Sequence, residues 1–225
     1  MKVLLIVPGW SKSNLWGQIR FKFPPLSLLT LASETPEEVE VSILDENLEE
    51  IDFDIEVDLV GITVMTPQAP RAYQIANEFR EKGRKVVLGG FHVSHLPQEG
   101  LNHADAVVMG EGDKVWKEVI KDFKESRLRK IYKGDSLVSL SEIKTPRRYL
   151  VKGKGYLFTN TIQTTRGCPF QCEFCSVSSF FGRSYRTRPI SRVIEELEKL
   201  REESIFLFLV DDNLVGNRPY AKTLF

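Results

Sequence analysis

Short apolar runs recur along the first half of the chain, separated by stretches with helical spacing. Lys2–Val7, Glu40–Leu44, Asp58–Thr63, Lys85–Leu88 and Ala106–Met109 are each strand-length and rich in β-branched residues and leucine. Between them, Leu26–Ala32, Gln68–Lys82 and Lys114–Phe123 repeat apolar residues every three or four positions, the spacing of one helix face. Gly83 stands where the second of these helices should stop, because glycine turns left-handed there without a steric cost. Apolar strands alternating with helices predict a parallel sheet covered on both faces. Residues 1–133 therefore read as one doubly wound domain of five strands.

Residues 134–156 read as a linker. They carry charge, Thr145-Pro146 and Gly153-Lys154-Gly155, with no sustained apolar period. A second α/β pattern occupies residues 157–225. Phe158–Gln163 predicts a strand, and Ser191–Glu203 predicts a helix whose Val193, Ile194, Leu197 and Leu200 share a face. Ile205–Val210 predicts a fully buried strand that ends at Asp211-Asp212-Asn213. The 70 residues from Tyr156 to Phe225 allow about two β/α units, since each unit takes about 30 residues. Two parallel strands cannot cover their own edges. The second unit is therefore expected to be incomplete, interrupted at its apolar end or dependent on edge partners from another molecule. The fold class expected is α/β: an N-terminal doubly wound, flavodoxin-like parallel sheet, then the first β/α units of a partial TIM-like barrel.

Composition narrows the function classes. The 225 residues are 42% hydrophobic and 28% charged, which excludes disorder and fibrous repeats. Lys plus Arg and Asp plus Glu are 31 each. A chain without basic excess is not expected to bind nucleic acid. The longest apolar runs fall far short of the ~20 residues of a membrane span, so no transmembrane segment is expected. The N-terminal run reads as a buried strand and not as a secretory leader, which points to the cytoplasm.

The three cysteines are not scattered: Cys168, Cys172 and Cys175 fall within one loop, Thr165-Arg166-Gly167-Cys168-Pro169-Phe170-Gln171-Cys172-Glu173-Phe174-Cys175. Clustered thiols in a chain without a secretory leader read as metal ligands or redox groups. Thiolates suit zinc or iron–sulfur clusters. A structural zinc site closes with four ligands, and the only histidines, His92, His95 and His103, lie in the other domain. A cubane cluster on three thiolates leaves one iron open to a substrate or cofactor, so this spacing fits catalysis better than architecture.

The spacing C-x3-C-x2-C directly after a strand resembles the radical S-adenosylmethionine enzymes. That resemblance implies a 4Fe–4S cluster on Cys168, Cys172 and Cys175, with S-adenosylmethionine on its open iron. It implies Phe174 near the adenine, and Arg186 and Asp211 as further S-adenosylmethionine contacts. Read without the resemblance, Gly182–Arg188 is a solvated basic turn and Asp211–Asn213 a helix cap.

In the first domain, polar and glycine-rich loops fall at the carboxyl ends of the strands, where doubly wound sheets bind ligands. Gly110-x-Gly112 lacks the third glycine of a dinucleotide loop, position 115 being Val115, and no GxxxxGK[ST] phosphate loop occurs. The stretches Val60–Thr66, Gly89-Gly90-Phe91-His92 and Val107–Gly112 resemble the cobalamin-binding domain that precedes many radical S-adenosylmethionine barrels. The resemblance implies cobalamin contacts from Gly9, Ser11, Thr63, Met65, Thr66, Gly89, Gly90, His92, Gly110, Glu111 and Gly112. One departure is plain: Pro8–Asn14 contains no histidine, where mutase-type cobalamin domains carry a cobalt ligand. Cobalamin is therefore expected without a histidine ligand from this loop, and His92 is expected to bond backbone or a corrin amide.

Together the resemblances imply cobalamin-dependent radical methyl transfer to an unactivated carbon, with the catalytic residues themselves unassigned. Cyclisation or rearrangement is the alternative outcome. A non-catalytic cobalamin-binding module and a zinc-stabilised interaction protein are readings from other classes. The partners implied are a small-molecule or lipid-like substrate and an external electron donor, in an oxygen-poor cytoplasm.

Overall fold

The structure, a computed structural model, describes residues 1–11, 13, 15–18, 23–134, 137–156, 160–200 and 206–225, with the backbone alone at residue 16. In chain order the first part comprises β1 (Lys2–Val7), α1 (Leu15–Gln18), α2 (Leu26–Glu34), β2 (Glu40–Asp45), β3 (Leu59–Thr63), α3 (Ala69–Glu81), β4 (Lys85–Gly89), α4 (Phe91–His95), α5 (Pro97–His103), β5 (Ala106–Met109), α6 (Gly112–Lys124) and β6 (Ile131–Lys133). The strands form one sheet, β2-β1-β3-β4-β5-β6, parallel throughout. This is the expected flavodoxin-like order with one further strand. β6 escapes the sequence pattern because three residues beside Lys130 and Lys133 show no periodicity. Its Tyr132 is nevertheless buried, and its hydroxyl donates to Asp122 Oδ2 at 3.0 Å.

Both faces of the sheet are covered, which explains the apolar strands. Along β1, Val3 and Leu5 enter the core under α2 and α6, while Leu4 and Ile6 enter the core under α3. Each fully buried aliphatic side chain of this kind contributes about 1.5–3 kcal/mol. Trp116 of α6 lies across the first face, its indole N–H donating to Thr35 Oγ1 at 2.8 Å. The strand beneath it carries Gly61, where an added Cβ would stand 2.8 Å from Leu5 Cδ2 and 3.3 Å from Trp116 Cη2.

Residues 137–156 are not the free linker that their composition predicts. Val138, Leu140, Val151 and Tyr156 are buried, and Arg148–Val151 forms a 3-10 turn. Tyr156 donates to Asp45 Oδ2 at 3.0 Å, and Lys154 Nζ donates to Ile43 O at 2.7 Å. Burial, reinforced by Asp45, pushes the Tyr156 hydroxyl well above its ordinary pKa. This segment is docked on the edge of β2. Residues 135 and 136 of the expected linker lie outside the described residues.

The second part comprises β7 (Asn160–Ile162), β8 (Thr165–Gly167), α7 (Ser176–Phe181), β9 (Tyr185–Thr187), α8 (Ile190–Leu200), β10 (Leu207–Leu209) and α9 (Arg218–Leu224). β7 and β10 pair in parallel, with α8 in the connection between them. Residues 157–159 and 201–205, the expected starts of these two strands and the end of the helix, lie outside the described residues. The β10 segment is not fully buried as its apolar run predicts. Phe206, Leu207 and Phe208 are exposed, because the strand has a partner on one side only among the described residues. The inner face of α8 is Val193, Glu196 and Leu200, while Ile194 is turned outward. Glu196 is buried because it holds Arg148 Nη2 at 2.5 Å and Arg188 Nη2 at 2.6 Å.

The space over Gly61 yields a prediction for stability. Gly61→Ala forces a methyl group against Leu5 and Trp116, and overpacking of this kind costs about 1–3 kcal/mol. A urea titration should show a lowered midpoint with unchanged slope.

Candidate functional site

The carboxyl ends of β1, β3, β4 and β5 converge on one cavity of about 430 Å³. Its floor is apolar, formed by Leu5, Ile62, Val87, Val108 and Trp116, and α2 closes one side with Leu28 and Leu31. The glycines at the strand ends leave the space open. Gly90 is held at φ 106°, and a Cβ there would stand 2.9 Å from both Val64 N and Val64 O. That turn lets His92 N donate to Val64 O at 3.0 Å and starts α4 beside the cavity.

Of the residues proposed for cobalamin, Thr63, Met65, Gly89, Gly90, Gly110, Glu111 and Gly112 line this cavity. Thr66 and His92 are not among the lining residues. The His92 ring is buried with Nδ1 3.2 Å from Thr66 Oγ1 and Nε2 3.2 Å from Glu99 Oε1. Both ring nitrogens thus lie against side chains, where a bond to backbone or to a corrin amide is the expectation from sequence. Gly9 and Ser11 also lie away from the lining. Gly9 N donates to Glu46 Oε2 at 2.6 Å, and Ser11 Oγ pairs with Ser13 Oγ.

The other wall comes from the second part of the chain: Gln163, Arg166, Phe180, Phe181, Val210 and Asp212. Two contacts bring it there. Phe91 of α4 stacks on Phe180 of α7 with ring centroids 4.1 Å apart, and His95 Nε2 lies 2.8 Å from Ser179 Oγ. The second contact is ionic. Arg166 Nη1 donates to Glu111 Oε1 at 2.6 Å and Asp113 Oδ2 at 2.7 Å, while Arg186 Nη1 donates to Glu111 Oε2 at 2.7 Å. The Glu111 side chain is only 6% exposed. Burial opposes its charge, yet hydrogen bonds from Arg186, Arg166 and Val138 N hold its carboxyl below the usual range. Burial likewise opposes the charge on Arg166, and Asp113 and Glu111 outweigh it.

The resemblances imply a cobalamin contact for Glu111 and an S-adenosylmethionine contact for Arg186. The structure pairs the two with each other. Gly182–Arg188 is solvated only at its start: Gly182 and Arg183 are exposed, whereas Arg186 is half-buried on Glu111 and Arg188 is buried on Glu196. Asp113 and Arg166 were missed altogether. The only available signal was their charge, and nothing local links positions 113 and 166.

The cysteine loop runs from β8 to α7. Cys168 and Cys175 are half-buried, Cys172 is exposed, and all three are free thiols. Phe174 is 94% exposed. Among the described residues, no three His, Cys, Asp or Glu side chains stand close enough together to hold a metal ion. The donor set nevertheless fits an iron–sulfur cluster: three free, solvent-reachable soft donors on one short loop between β8 and α7, whose Arg166, Phe180 and Phe181 line the cavity. The loop is anchored at its start. Gly167 takes φ 87°, where any Cβ would run into the Ser184 carbonyl oxygen across the β8–β9 pair. Asp211 Oδ1 accepts from the backbone and hydroxyl groups of Thr164 and Thr165, Asp212 Oδ2 accepts from Gly167 N at 2.8 Å, and Asn213 Nδ2 donates to Cys168 Sγ at 3.3 Å. Asp211 is thus placed as a strand anchor, with its Oδ2 buried and unbonded among the described residues.

The Glu111 cluster makes a testable case. Removing one member of a buried ion pair costs about 3–5 kcal/mol, so Glu111→Gln should lower the urea midpoint and loosen the two parts together. The pH dependence follows from the depressed carboxyl. The stabilisation is fully present above the unfolded glutamate value of about 4.3 and is lost as pH falls through the lower folded value. The stability gap between wild type and Glu111→Gln, measured by urea titration from pH 7 to pH 3, should hold constant to about pH 4.3 and then narrow.

Residues 15–120 match the B12 binding domain family. The chain is 36% identical over 210 residues to bacteriochlorophyllide d C-8(2)-methyltransferase of Chlorobaculum tepidum, covering 86% of this chain and 46% of that protein. It is 30% identical to bacteriochlorophyllide d C-12(1)-methyltransferase of the same organism, covering 99% of this chain and 51% of the relative. Its fold is similar to that of the radical S-adenosylmethionine methyltransferase TsrM of Kitasatospora setae, solved with cobalamin and a [4Fe-4S] cluster bound. The TM-score is 0.74 at 21% identity, over 99% of this chain and 50% of that one. The chain thus spans about half the length of the relatives that it matches.

Proposed function

We propose, for a chain that belongs to the cobalamin-binding radical S-adenosylmethionine family, that it holds cobalamin and a 4Fe–4S cluster on the two walls of one cavity. On this reading the whole protein transfers a methyl group to an unactivated carbon. The observation that carries the reading is the shared cavity: its floor is the carboxyl edge of the B12-type sheet, and its far wall belongs to the unit that bears the three cysteines. A separate cobalamin module would have no need of that second wall.

Cys168, Cys172 and Cys175 would hold the cluster, and the loops at Thr63–Met65, Gly89-Gly90 and Gly110–Gly112 would hold cobalamin. When bound, these groups supply reductive cleavage of S-adenosylmethionine, with one electron from an external donor, and a transferable methyl group. The residues of the chain position and shield. The apolar floor excludes water from the cavity, and the Phe91–Phe180 stack and the Glu111 cluster fix the distance between its walls. The printed names of the relatives, two bacteriochlorophyllide methyltransferases, support a small-molecule substrate of tetrapyrrole or comparably apolar kind. Cluster chemistry of this kind belongs in an oxygen-poor cytoplasm, and no described helix is long and apolar enough to cross a membrane.

Anaerobic reconstitution with iron, sulfide and hydroxocobalamin tests the reading by metal and sulfide quantitation. Wild type should take up about four irons and one cobalt. Cys172→Ala should lose the iron and keep the cobalt. Gly89→Leu has room for its Cβ, the nearest atom being Val108 Cβ at 3.8 Å, so its side chain fills the cavity and not the core. It should keep the iron and bind cobalamin about 10- to 100-fold more weakly, the equivalent of about 1–3 kcal/mol of overpacking. Zinc without sulfide in the wild type, or undiminished cobalamin binding by Gly89→Leu, would overturn the reading.

A further inference from the structure

The turn after β10 addresses the start of the cysteine loop residue by residue. Asp211 takes the N–H and hydroxyl groups of Thr164 and Thr165, Asp212 takes the Gly167 N–H, and Asn213 reaches Cys168 Sγ. The first two contacts are carboxylates accepting from donors, so they fix the backbone of β8 and hold its register. The third is different in kind, because an amide N–H donates to sulfur. A thiol is a weak acceptor, whereas a metal-bound thiolate carries negative charge and accepts more strongly. Asn213 is therefore placed to interact more strongly with the loaded loop than with the empty one.

We propose that Asn213 is a positioning residue that raises the reduction potential of the cluster by hydrogen-bonding the Cys168 thiolate. The proposal rests on the cluster reading above and deepens it. The physical argument is electrostatic. One-electron reduction adds negative charge to the cluster and its thiolate ligands, and an N–H dipole pointing at a thiolate stabilises the reduced form more than the oxidised form. The two predecessors of Asn213 are tied to residues 164–167, which holds the backbone of position 213 next to Cys168 and its amide within reach of Sγ. Its donor is also neutral, so it biases the couple without adding a charge to the cavity that Asp212 lines.

The test is an anaerobic redox titration of the reconstituted full chain, monitored by the spectrum of the reduced cluster. Iron and sulfide content are measured in the same samples. Asn213→Leu is nearly isosteric and removes the donor, and Asn213→Ala is the second variant should leucine disturb the loop. Each variant should retain wild-type iron and titrate at a more negative potential. At the wild-type midpoint the reduced-to-oxidised ratio should fall about tenfold, which for a one-electron couple is about 59 mV. Variants that load like wild type and titrate at the wild-type potential overturn the proposal. So do variants that both fail to load while wild type loads, since Asn213 would then hold the loop and not set the couple. A wild type that takes up no iron overturns the cluster reading itself and this one with it.

Discussion

Four buried charges hold this molecule in its working arrangement. Glu111 and Asp113, at the start of α6, face Arg166 of β8 and Arg186 of β9. Placing each ion out of water costs several kcal/mol, and the attraction between them repays that only where the geometry is good and the remaining donors and acceptors are satisfied. Here the two signs balance and both Glu111 oxygens are used, while Arg186 Nε and Nη2 are buried without a partner among the described residues. Val138, in the docked segment, adds its N–H to Glu111 Oε2 and its carbonyl to Arg186 Nη1. Three stretches of chain meet at one carboxylate. Such a cluster adds little net stability compared with an apolar interface, but it accepts only one alignment, because an offset leaves charges buried and unpaired. That specificity is what the shared cavity needs, since its two walls come from opposite sides of this contact.

The cavity is a consequence of where the sheet runs out of side chains. Inside the sheet, alternate residues of each strand pack beneath helices on both faces. At the carboxyl ends, glycines at 89, 90, 110 and 112 replace bulky residues, and the space they leave is lined by the outermost apolar atoms of the core. Trp116 marks the boundary: its indole N–H is spent on Thr35 while its ring edge lines the cavity. A cavity with an apolar floor and a charged far wall, where Arg166 is already spent on Glu111 and Asp113, offers a phosphate group no free cation from that arginine.

The parts legible from sequence are those whose cause is local. The five longer strands show because burial on both faces demands unbroken apolar runs. The cysteine loop and the strand-end glycines show because their chemistry depends on spacing of a few residues. What stayed hidden has a distant cause. β6 is three residues long and is a strand only because β5 offers Val107–Met109 as an edge. The segment from 137 to 156 has the composition of a linker, yet Tyr156 and Lys154 tie it to Asp45 and Ile43, more than a hundred residues earlier. Glu196 looks like a surface residue of an amphipathic helix, and only the arginines at 148 and 188 make it a core residue. Glu111 was read through its glycine neighbours as a ligand contact, and its partners are settled by tertiary structure alone. Charge pairing at long range has no period to read.

The same logic sets an order of dependence within the second part. The Asp211–Asn213 turn follows β10, which pairs in parallel with β7 at Asn160–Ile162 and stacks Phe208 on Phe23 with centroids 4.4 Å apart. The Asp211 and Asp212 contacts that fix β8, and the Asn213 contact at Cys168, thus lie just beyond a non-local parallel pairing that joins Leu207 to Asn160. Parallel pairing of that kind is slow to form, because the intervening chain must be ordered first. β8 in turn carries Arg166 into the charge cluster, so docking against the B12-type sheet and positioning of the first cysteine draw on the same strand. The anchoring of Cys168 and the closure of the cavity thus share β8 as a common element.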